Sequence, residues 1–305
     1  MEDQHYDVIV IGGGPAGLTA GIYLGRARVR TLIVDSGTPG GQMLMSFDVA
    51  NYPGVKQTSG RAIATTMREQ AEEFGARVLT HAEITALELE GEIKRVEIED
   101  EGTFTARAVI LAVGGIPRTL GLQSEQRFRG LGISYCSTCD GDFFTGKEVV
   151  AVGGGNSALE EAIALTRYAD RVTVIHEFDH FQAQPWLVDE AKGNPKIEFL
   201  TAQRVLGFEG GNSLERVVVE DKASGQTRKI PADGAFIFIG YVPNTQAFAG
   251  QVALNDRGEI LTDEDLRTSL TGVFAAGDGR AKRFRQITTS VADGTVAALA
   301  ATEER

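Results

Sequence analysis

The chain has 305 residues, with 30 Lys and Arg against 42 Asp and Glu, so its formal net charge is −12 and its pI is near 4.9. This acidic balance argues against broad nucleic-acid binding, which needs a basic surface, and against adhesion to anionic membranes. At ~150 residues per domain the length predicts about two domains. No apolar run reaches the ~18 residues of a spanning helix, and residues 1–4 lack the features of a signal peptide, so we expect a cytoplasmic protein.

A sequence repeat predicts the fold class. Residues 8–14 read VIVIGGG, and residues 149–155 read VVAVGGG. At the same offset, Leu18 corresponds to Leu159, and the apolar residues 31–34 correspond to residues 172–175. Each copy therefore reads as a strand, a glycine turn, a helix and a second strand, which is a βαβ unit. Two such units predict an α/β fold with two Rossmann-like, doubly wound domains.

The other segments predict two antiparallel excursions and two crossings between the domains. Residues 83–104 and 204–229 alternate polar and apolar side chains around glycine turns, which is typical of antiparallel strands. The apolar strand at 108–113 is followed by Gly114, Gly115 and Pro117, where we expect one crossing, and we expect the other at 240–244. The tail is too short for a third domain and ends in an Ala-rich helix.

The first glycine turn has the spacing of a dinucleotide-binding loop. Gly12, Gly14 and Gly17 fit G-x-G-x-x-G, in which the glycines permit the turn, the approach of a pyrophosphate and close helix packing. Asp35 ends the next strand, where an acid binds ribose hydroxyls. A merely tight turn is the alternative, but the strand, helix and acid together favour a dinucleotide without saying which one.

Further motifs lie in the order and spacing of a known family. They are GGGPAG at residues 12–17, GGQ at 40–42, NYPG at 51–54, AVG at 112–114, CSTCD at 136–140 and GD at 277–278. Over nearly the whole chain the sequence resembles the low-molecular-weight thioredoxin reductases. The resemblance implies a discontinuous FAD-binding domain, residues 1–115 and 244–305. An inserted NAD(P)H-binding-like domain, residues 116–243, would carry a redox dithiol.

The resemblance also implies which residues bind FAD. The first glycine loop would hold the dinucleotide, Gln42 and Asn51 would line the flavin ring, and Asp278 would bind the ribityl or phosphate region. Arg285 and Gln286 would close over the isoalloxazine at the start of the last helix. The implied set is Gly12, Gly14, Pro15, Ala16, Gly17, Asp35, Gln42, Asn51, Ala112, Gly114, Gly277, Asp278, Arg285 and Gln286. From the residues alone, Gly277 and Asp278 are also consistent with a plain strand exit. A homodimer is expected from the resemblance only.

Cys136 and Cys139 are the only cysteines, and their C-x-x-C spacing favours a disulfide that opens and closes reversibly. Zinc is the main rival, but a structural site takes four protein ligands and no second Cys pair exists. His176 and His180 are interpreted as ordinary loop residues, so no metal is expected.

The acid beside the dithiol, Asp140, is a candidate to supply the proton that a leaving thiolate requires, although it also suits a helix or turn cap. By resemblance, Cys139 is the flavin-facing sulfur that forms the charge-transfer contact. Cys136 would attack the disulfide of the partner, and Asp140 would be the acid/base.

The second glycine turn fits G-x-G-x-x-A and predicts a second nucleotide site at Gly153, Gly155, Asn156 and Ser157. NADPH-dependent relatives end the next strand in His-Arg-Arg-x-x-x-Arg, whose guanidinium groups hold the 2′-phosphate. Here residues 176–182 read HEFDHFQ, so the three arginines are missing and two acids are present. A phosphate dianion would be repelled there.

Three explanations for this departure stay open. In the first, Glu177 binds free ribose hydroxyls and the donor is NADH. In the second, the pocket is vestigial and electrons come from a protein such as ferredoxin. In the third, NADPH binds through other residues, such as Arg167 or Arg171. The nearby aromatic residues either fill the site or take part in ordinary packing, which is the default: Phe178, Phe181 and Trp186.

The sequence therefore predicts a flavin-dependent disulfide reductase. Reduced FAD would pass electrons through the Cys136–Cys139 disulfide to thioredoxin or a thioredoxin-like protein, with a ferredoxin-like protein or NADH favoured over NADPH as donor. One alternative is a flavin-bound redox sensor without turnover. Another is an NADH-dependent flavoprotein oxidase, which would still consume NADH after Cys139→Ser.

Overall fold

The computed structural model describes residues 4–46 and 49–303, which form two compact units. The first unit contains the described residues up to Ile116 and from Val242 onwards, and the second runs from Pro117 to Tyr241. Residues 1–3, which belong to the N-terminal stretch that lacks signal-peptide features, lie outside the described residues. Among the helices of the described part, none is both long and apolar enough to cross a bilayer.

The first unit begins with a βαβ unit and continues into an antiparallel excursion. Its elements up to the first crossing are β1 (His5–Ile11), α1 (Pro15–Arg26), β2 (Thr31–Val34), α2 (Gly60–Glu73), β3 (Arg77–Leu79), β4 (Ile84–Glu88), β5 (Lys94–Ile98), β6 (Gly102–Leu111) and β7 (Gly115–Pro117). Strands β3, β2, β1 and β6 are parallel neighbours, and β5 and β4 extend the sheet in antiparallel pairing.

The apolar run in β1 follows from burial on both faces of this sheet. Val8 and Val10 pack in one core cluster with residues of α1, while Ile9 and Ile11 pack in the cluster of the opposite face. Successive residues of a strand point to opposite faces, so a doubly covered strand needs apolar residues at every position. This burial explains why the repeat stood out in the sequence.

The second unit repeats the βαβ plan in a five-stranded parallel sheet of order β11-β10-β9-β15-β8, with a three-stranded antiparallel sheet beside it in the chain. Its elements are α3 (Gln123–Phe128), β8 (Ile133–Ser134), α4 (Ser137–Asp140), β9 (Glu148–Val152), α5 (Asn156–Leu165), β10 (Arg171–Ile175), α6 (Pro185–Gly193), β11 (Ile197–Leu200), β12 (Gln203–Gly210), β13 (Leu214–Asp221), β14 (Thr227–Pro231) and β15 (Gly234–Ile237). Strands β12, β13 and β14 form the antiparallel sheet predicted for residues 204–229.

The last part of the chain returns to the first unit. It contains β16 (Tyr241–Pro243), β17 (Val273–Ala275) and α7 (Ile287–Glu303). β16 pairs with β7, so the two crossings of the chain run side by side. β17 adds to the first sheet in parallel with β6. α7 packs closely on α1, because a Cβ on Gly294 would lie only 2.2 Å from the carbonyl oxygen of Ala16.

Candidate active site and nucleotide loops

The first glycine loop joins β1 to α1 and is closely packed at both ends. Gly12 has a φ of 106°, and a Cβ there would lie 2.3 Å from the Ala112 carbonyl oxygen. A Cβ on Gly17 would lie 1.8 Å from the Gly12 carbonyl oxygen. Gly14 differs, since the nearest heavy atom to a Cβ there is 4.0 Å away. The start of α1 is therefore open in front of Gly14, as a pyrophosphate at a helix N-terminus requires.

Other segments predicted to bind FAD lie against this loop. The Gly40 amide donates to the Gly13 carbonyl at 2.7 Å. A Cβ on Gly277 would lie 3.0 Å from the Cβ of Ala16, so the Gly277–Asp278 turn contacts the first residues of α1. Together with Ala112, the structure brings four distant stretches of sequence to one end of the first sheet.

Two predicted acids are oriented by hydrogen bonds near the loop. Asp35 accepts from the Gly13 amide at 2.6 Å and from the Gly37 amide at 2.8 Å. Asp278 accepts from the Ser290 hydroxyl at 3.1 Å, and its carboxylate lies 3.3 Å from Lys282 Nζ. Asp35 therefore fixes the glycine loop itself, which its place in the sequence did not indicate.

The remaining predicted FAD residues lie on the surface or at the start of α7. Gln42, in a short 3-10 helix, and Asn51 are both exposed. Arg285 forms an ion pair with the buried carboxylate of Glu259. Gln286 directly precedes α7. Gly114 lies against the turn after Asp278, and its carbonyl accepts from the Asn244 amide at 3.0 Å. The role of these residues in FAD binding stays a prediction.

The two cysteines form a disulfide with Cα atoms 5.3 Å apart, which confirms the predicted pairing. Cys136 directly precedes α4, and its sulfur accepts a hydrogen bond from the Cys139 amide at 3.2 Å. Cys139 is exposed, and Cys136 is half-buried. The pair therefore sits at a tight helical turn on an accessible surface of the second unit.

A serine that sequence reasoning missed orients the acid beside the disulfide. Ser134 Oγ donates to the Asp140 carboxylate at 2.5 Å and accepts from the Cys136 amide at 3.1 Å. Asp140 precedes a short 3-10 helix, yet its side chain makes no capping hydrogen bond to that helix in the described structure. The role of Asp140 as acid/base stays a prediction. Ser134 lies in a two-residue strand, and nothing in the motif spacing marks it.

A buried carboxylate anchors the residue that precedes Cys136. Tyr135 donates its phenol hydrogen to Glu125 at 2.8 Å, and Glu125 also accepts from the Gly121 amide at 3.0 Å. Burial, and then the hydrogen bond to Glu125, raise the pKa of Tyr135 well above its usual range. The phenol therefore stays protonated, and its hydrogen bond to Glu125 fixes the residue that directly precedes Cys136.

The second glycine loop reproduces the backbone of the first. Gly153 has a φ of 143°, and a Cβ there would lie 2.5 Å from the Phe238 carbonyl oxygen, whereas Gly155 has no heavy atom within 4 Å of such a Cβ. The Gln182 amide donates to the Gly154 carbonyl at 2.9 Å, and the Gln184 amide donates to Asn156 Oδ1 at 2.8 Å. The segment after β10 is therefore hydrogen-bonded to the loop and the start of α5.

His176 lies directly after β10, outside any helix or strand, but its side chain is packed more closely than an ordinary loop position suggests. His176 is buried, and a Cβ on Gly154 would lie 2.4 Å from its ring. The ring stacks on Phe181 with centroids 5.7 Å apart, and burial lowers its pKa. Phe181 thus packs as the default predicted, but Phe178 and Trp186 are exposed. In the described part of the chain, no group of three His, Cys, Asp or Glu is placed to hold a metal ion.

Glu177 faces two cations that sequence reasoning missed. Its carboxylate lies 3.3 Å from Arg204 Nε on β12 and 3.3 Å from Lys222 Nζ just after β13. Burial acts to raise the pKa of Glu177, but hydrogen bonds and charge from Lys222 and Arg204 together lower it. These partners are distant in sequence, so only the fold could reveal them.

Arg167 and Arg171, the two examples given for NADPH binding through other residues, lie away from the second glycine loop. Arg171 is the first residue of β10 and pairs in register with Glu148, at the amino ends of both strands. The second glycine loop follows the carboxyl end of β9, about 13 Å further along a five-residue strand. Arg167 follows the carboxyl end of α5, which starts at the loop. Both arginines therefore belong to the far end of the sheet.

Two dinucleotide-type loops and an accessible disulfide beside an oriented carboxylate define a nucleotide-dependent disulfide oxidoreductase. The model of the pyridine nucleotide-disulphide oxidoreductase family matches residues 6–294, and the chain belongs to this family. This result confirms the predicted family and its two-domain α/β fold.

Individual relatives cover almost the whole chain. A thioredoxin reductase from Peptoclostridium acidaminophilum is 41% identical over 303 residues, covering 97% of this chain and 96% of that protein. A thioredoxin reductase from Listeria innocua is 42% identical over 299 residues, covering 97% and 92%. The crystal structure of thioredoxin reductase from Streptococcus pyogenes superposes with a TM-score of 0.95 at 38% identity, covering 99% of each chain.

The family implies FAD as cofactor, and the residues of the first loop fit this group. The open face at Gly14 leaves space for a pyrophosphate, and the packing behind Gly12 and Gly17 holds the helix start in place. Asp35 and Asp278 are carboxylates oriented by hydrogen bonds, from the Gly13 amide and the Ser290 hydroxyl respectively. The first unit therefore has the backbone and polar groups that a flavin dinucleotide needs.

Proposed function

We propose that this protein is an FAD-dependent disulfide reductase whose substrate is thioredoxin or a thioredoxin-like protein. The observation that carries the proposal is the accessible Cys136–Cys139 disulfide beside the oriented carboxylate of Asp140. Relatives named thioredoxin reductase support it over almost the whole chain. A sensor without turnover and an oxidase remain outcomes of the experiments below.

The proposed division of labour follows the two units. The discontinuous domain, residues 1–115 and 244–305, binds FAD through the first glycine loop. The inserted domain, residues 116–243, carries the dithiol and a second loop for a nicotinamide nucleotide. When bound, FAD supplies the two electrons that open the disulfide. The close contacts of Gly40, Ala112 and Gly277 with the first loop support this assignment.

The chemistry of the chain's own residues is thiol–disulfide exchange. The Cys136 thiolate attacks one sulfur of the substrate disulfide, and the other substrate sulfur leaves as a thiolate. Cys139 then attacks Cys136, which reforms the Cys136–Cys139 disulfide and releases the substrate dithiol. Asp140, held by Ser134, gives a proton to a leaving thiolate and later recovers one. Two electrons and two protons thus pass to the substrate.

Replacement of the attacking cysteine tests this scheme. We expect Cys136→Ser to retain bound flavin but to lower thioredoxin-dependent turnover by on the order of 10³ or more, because the nucleophile is gone. The exposed Thr138 between the cysteines provides the control, and Thr138→Ala should keep most of the activity. Retained thioredoxin reduction by Cys136→Ser would overturn the proposed role.

For the electron donor, we propose a ferredoxin-like protein or NADH rather than NADPH. The segment after β10 carries Glu177 and Asp179 in place of phosphate-binding arginines, and Glu177 already engages Arg204 and Lys222. The open position at Gly155 supports NADH, because a pyrophosphate could still reach the start of α5. The missing arginines equally suit a protein donor.

Stopped-flow absorbance of the oxidised flavoprotein separates the donors. Mixing with NADH, NADPH or reduced ferredoxin should bleach the flavin at least tenfold faster with NADH or ferredoxin than with NADPH, about 1.4 kcal/mol in barrier height. Fast bleaching by NADPH would contradict the charge argument. Rapid NADH consumption that survives Cys139→Ser would favour the oxidase instead.

We also propose a cytoplasmic homodimer. Helix α7 exposes two large apolar side chains three residues apart, Val296 at 38% and Leu299 at 51%, which supports a self-complementary surface. Sedimentation should give twice the chain mass of 32.6 kDa, and a monomer at micromolar concentration would contradict the assembly.

A further inference from the structure

The buried residue between the two cysteines is joined to a glutamate on the neighbouring helix. Ser137 is only 1% exposed, and its hydroxyl donates to the Glu161 carboxylate oxygen Oε2. Ser137 is the first residue of α4, and Glu161 lies in α5, the helix that begins at the second glycine loop. The Glu161 carboxylate is therefore bound to the residue that directly follows Cys136 in the chain.

Packing holds the same two elements together. A Cβ on Gly141, directly after α4, would lie 3.0 Å from the Tyr168 ring and 3.5 Å from Leu165 Cδ2. Leu165 is the last residue of α5, and Tyr168 lies just beyond it. The dithiol turn is thus fixed on α5 at both of its ends, by a hydrogen bond at Ser137 and by close contacts at Gly141.

We propose that Glu161, held by Ser137, is a positioning residue that makes the Cys136–Cys139 dithiol a stronger reductant. The inference rests on the proposed function, in which this pair cycles between disulfide and dithiol. It assigns a role to two residues that neither the C-x-x-C spacing nor the glycine motif singled out.

The physical argument starts from the charge balance of the reduction. Opening the sulfur–sulfur bond takes two electrons and one proton and leaves one thiol and one thiolate. The disulfide is neutral, whereas the thiolate is negative, so a fixed carboxylate nearby destabilises the reduced pair more than the oxidised pair. A destabilised dithiol gives up its electrons more readily to a substrate disulfide.

The Ser137 hydroxyl contributes in the same direction. A hydroxyl hydrogen directed at a thiolate would stabilise it by a charge-assisted hydrogen bond. Here the hydrogen is directed to Glu161, so it does not serve a cysteine sulfur. The bond therefore fixes the repelling carboxylate and also removes a donor from the reduced pair.

Glu160 gives a matched control, because it has the same side chain on the same helix and is exposed. The flavoprotein and its Glu161→Gln, Ser137→Ala, doubly substituted and Glu160→Gln forms would be equilibrated with mixtures of reduced and oxidised dithiothreitol. Acid quenching, alkylation and mass measurement give the fraction of open disulfide at each ratio.

We expect Glu161→Gln to shift the exchange equilibrium about tenfold toward the dithiol, which corresponds to ~30 mV more positive for a two-electron couple. Ser137→Ala should shift it about threefold in the same direction, because the carboxylate loses its anchor. The doubly substituted protein should shift no further than Glu161→Gln, and Glu160→Gln should stay within about twofold of the parent.

Equal equilibria for Glu161→Gln and Glu160→Gln would overturn the inference, as would a shift toward the disulfide. A lower thermal midpoint with an unchanged equilibrium would also overturn it, since that is the signature of a purely structural bond. By contrast, a parent disulfide that never opens in the titration would overturn the proposed function itself, so the two failures are distinguishable.

Discussion

The two glycine loops share one backbone plan and differ in the side chain that ends the second strand of each βαβ unit. In the first unit, Asp35 accepts a hydrogen bond from the Gly13 amide. In the second unit, the equivalent position holds His176, whose ring packs on Gly154. In both units a later amide closes the loop on the same carbonyl, from Gly40 in one and Gln182 in the other.

This difference shows that the backbone and the ligand choice are separable properties of such a unit. The glycines and buried strands build the loop, and both loops keep an open position at the helix start, Gly14 and Gly155. The side chain after the second strand then decides which charge can approach. An acid bound to the loop suits ribose hydroxyls. In the second unit the position holds a stacked ring followed by Glu177, and the nearby Arg204 is already paired with Glu177, so this cation is not left to bind a phosphate at this position.

The largest effect expected from this comparison concerns Gly17. The second loop has Ala158 at the equivalent position, but in the first loop a Cβ at Gly17 would lie 1.8 Å from the Gly12 carbonyl oxygen. We expect Gly17→Ala to lose bound FAD and about 1–3 kcal/mol of unfolding free energy, because the helix start must shift. The ratio of flavin to protein absorbance after gel filtration and a urea titration measure both effects.

The reciprocal change is the control for that prediction. Ala158→Gly should keep full flavin content and cost only about 1 kcal/mol, the usual penalty of glycine inside a helix. If Gly17→Ala retains stoichiometric FAD, close packing does not distinguish the two loops.

A smaller effect is expected at Glu177, where the charge of the second loop is set. Glu177→Arg would remove an acid and add a cation beside Arg204 and Lys222, so a 2′-phosphate would meet three cations. We expect the KM for NADPH in flavin reduction to fall by about tenfold, with that for NADH changed much less. Initial rates over a range of both nucleotides give the comparison.

Glu198→Arg controls for net charge, because Glu198 is an exposed acid on β11 and makes the same charge change elsewhere on the unit. An equal gain in NADPH affinity from both substitutions would show that the overall charge, and not the position of Glu177, governs donor choice.

The smallest expected effect is a pH dependence from His176. Burial lowers the pKa of His176 in the folded protein, so the unfolded chain binds its proton more readily. Its stability contribution is complete above the unfolded value of about 6.5 and is lost as the pH falls toward the lower folded value. The slope cannot exceed that of one proton, about 1.4 kcal/mol per pH unit.

Urea titrations between pH 7.5 and 5.5 test this, with the fluorescence of Trp186, the only tryptophan and a residue of the second unit, as the probe. His176→Phe should keep the stacking on Phe181 and remove this part of the pH dependence. His180 is exposed, so His180→Asn should leave the pH dependence unchanged. An unchanged pH profile in His176→Phe would show that another group titrates.

The sequence predicted the elements that local patterns determine. Burial on both faces of β1 produces a continuous apolar run, and Gly12, Gly17 and Gly153 have no space for a side chain, so the repeat was visible without a structure. The C-x-x-C spacing likewise fixed the disulfide, since residues three apart meet on one helical turn.

The contacts that tune the site could not be predicted, because they join residues far apart in the chain. Glu177 meets Arg204 on β12 and Lys222 just after β13, and Ser137 on α4 meets Glu161 on α5. Serine and glutamate are common at such positions, so their types carry no signal. The burial of His176 was not predicted, because a single histidine after a strand does not reveal that an aromatic ring stacks on it.

The return of the chain to the first unit has a consequence for protein synthesis. Strand β17 and helix α7, which complete the first sheet and cover α1, emerge from the ribosome after the whole second unit. At about 5–20 residues per second, the 62 residues from Val242 to the end of α7 at Glu303 take roughly 3–12 seconds to be made. During that interval the contiguous second unit can already fold, while β6 waits with an open edge. The Gly277–Asp278 turn belongs to the same late segment, so its contact with the first residues of α1 forms only after that interval.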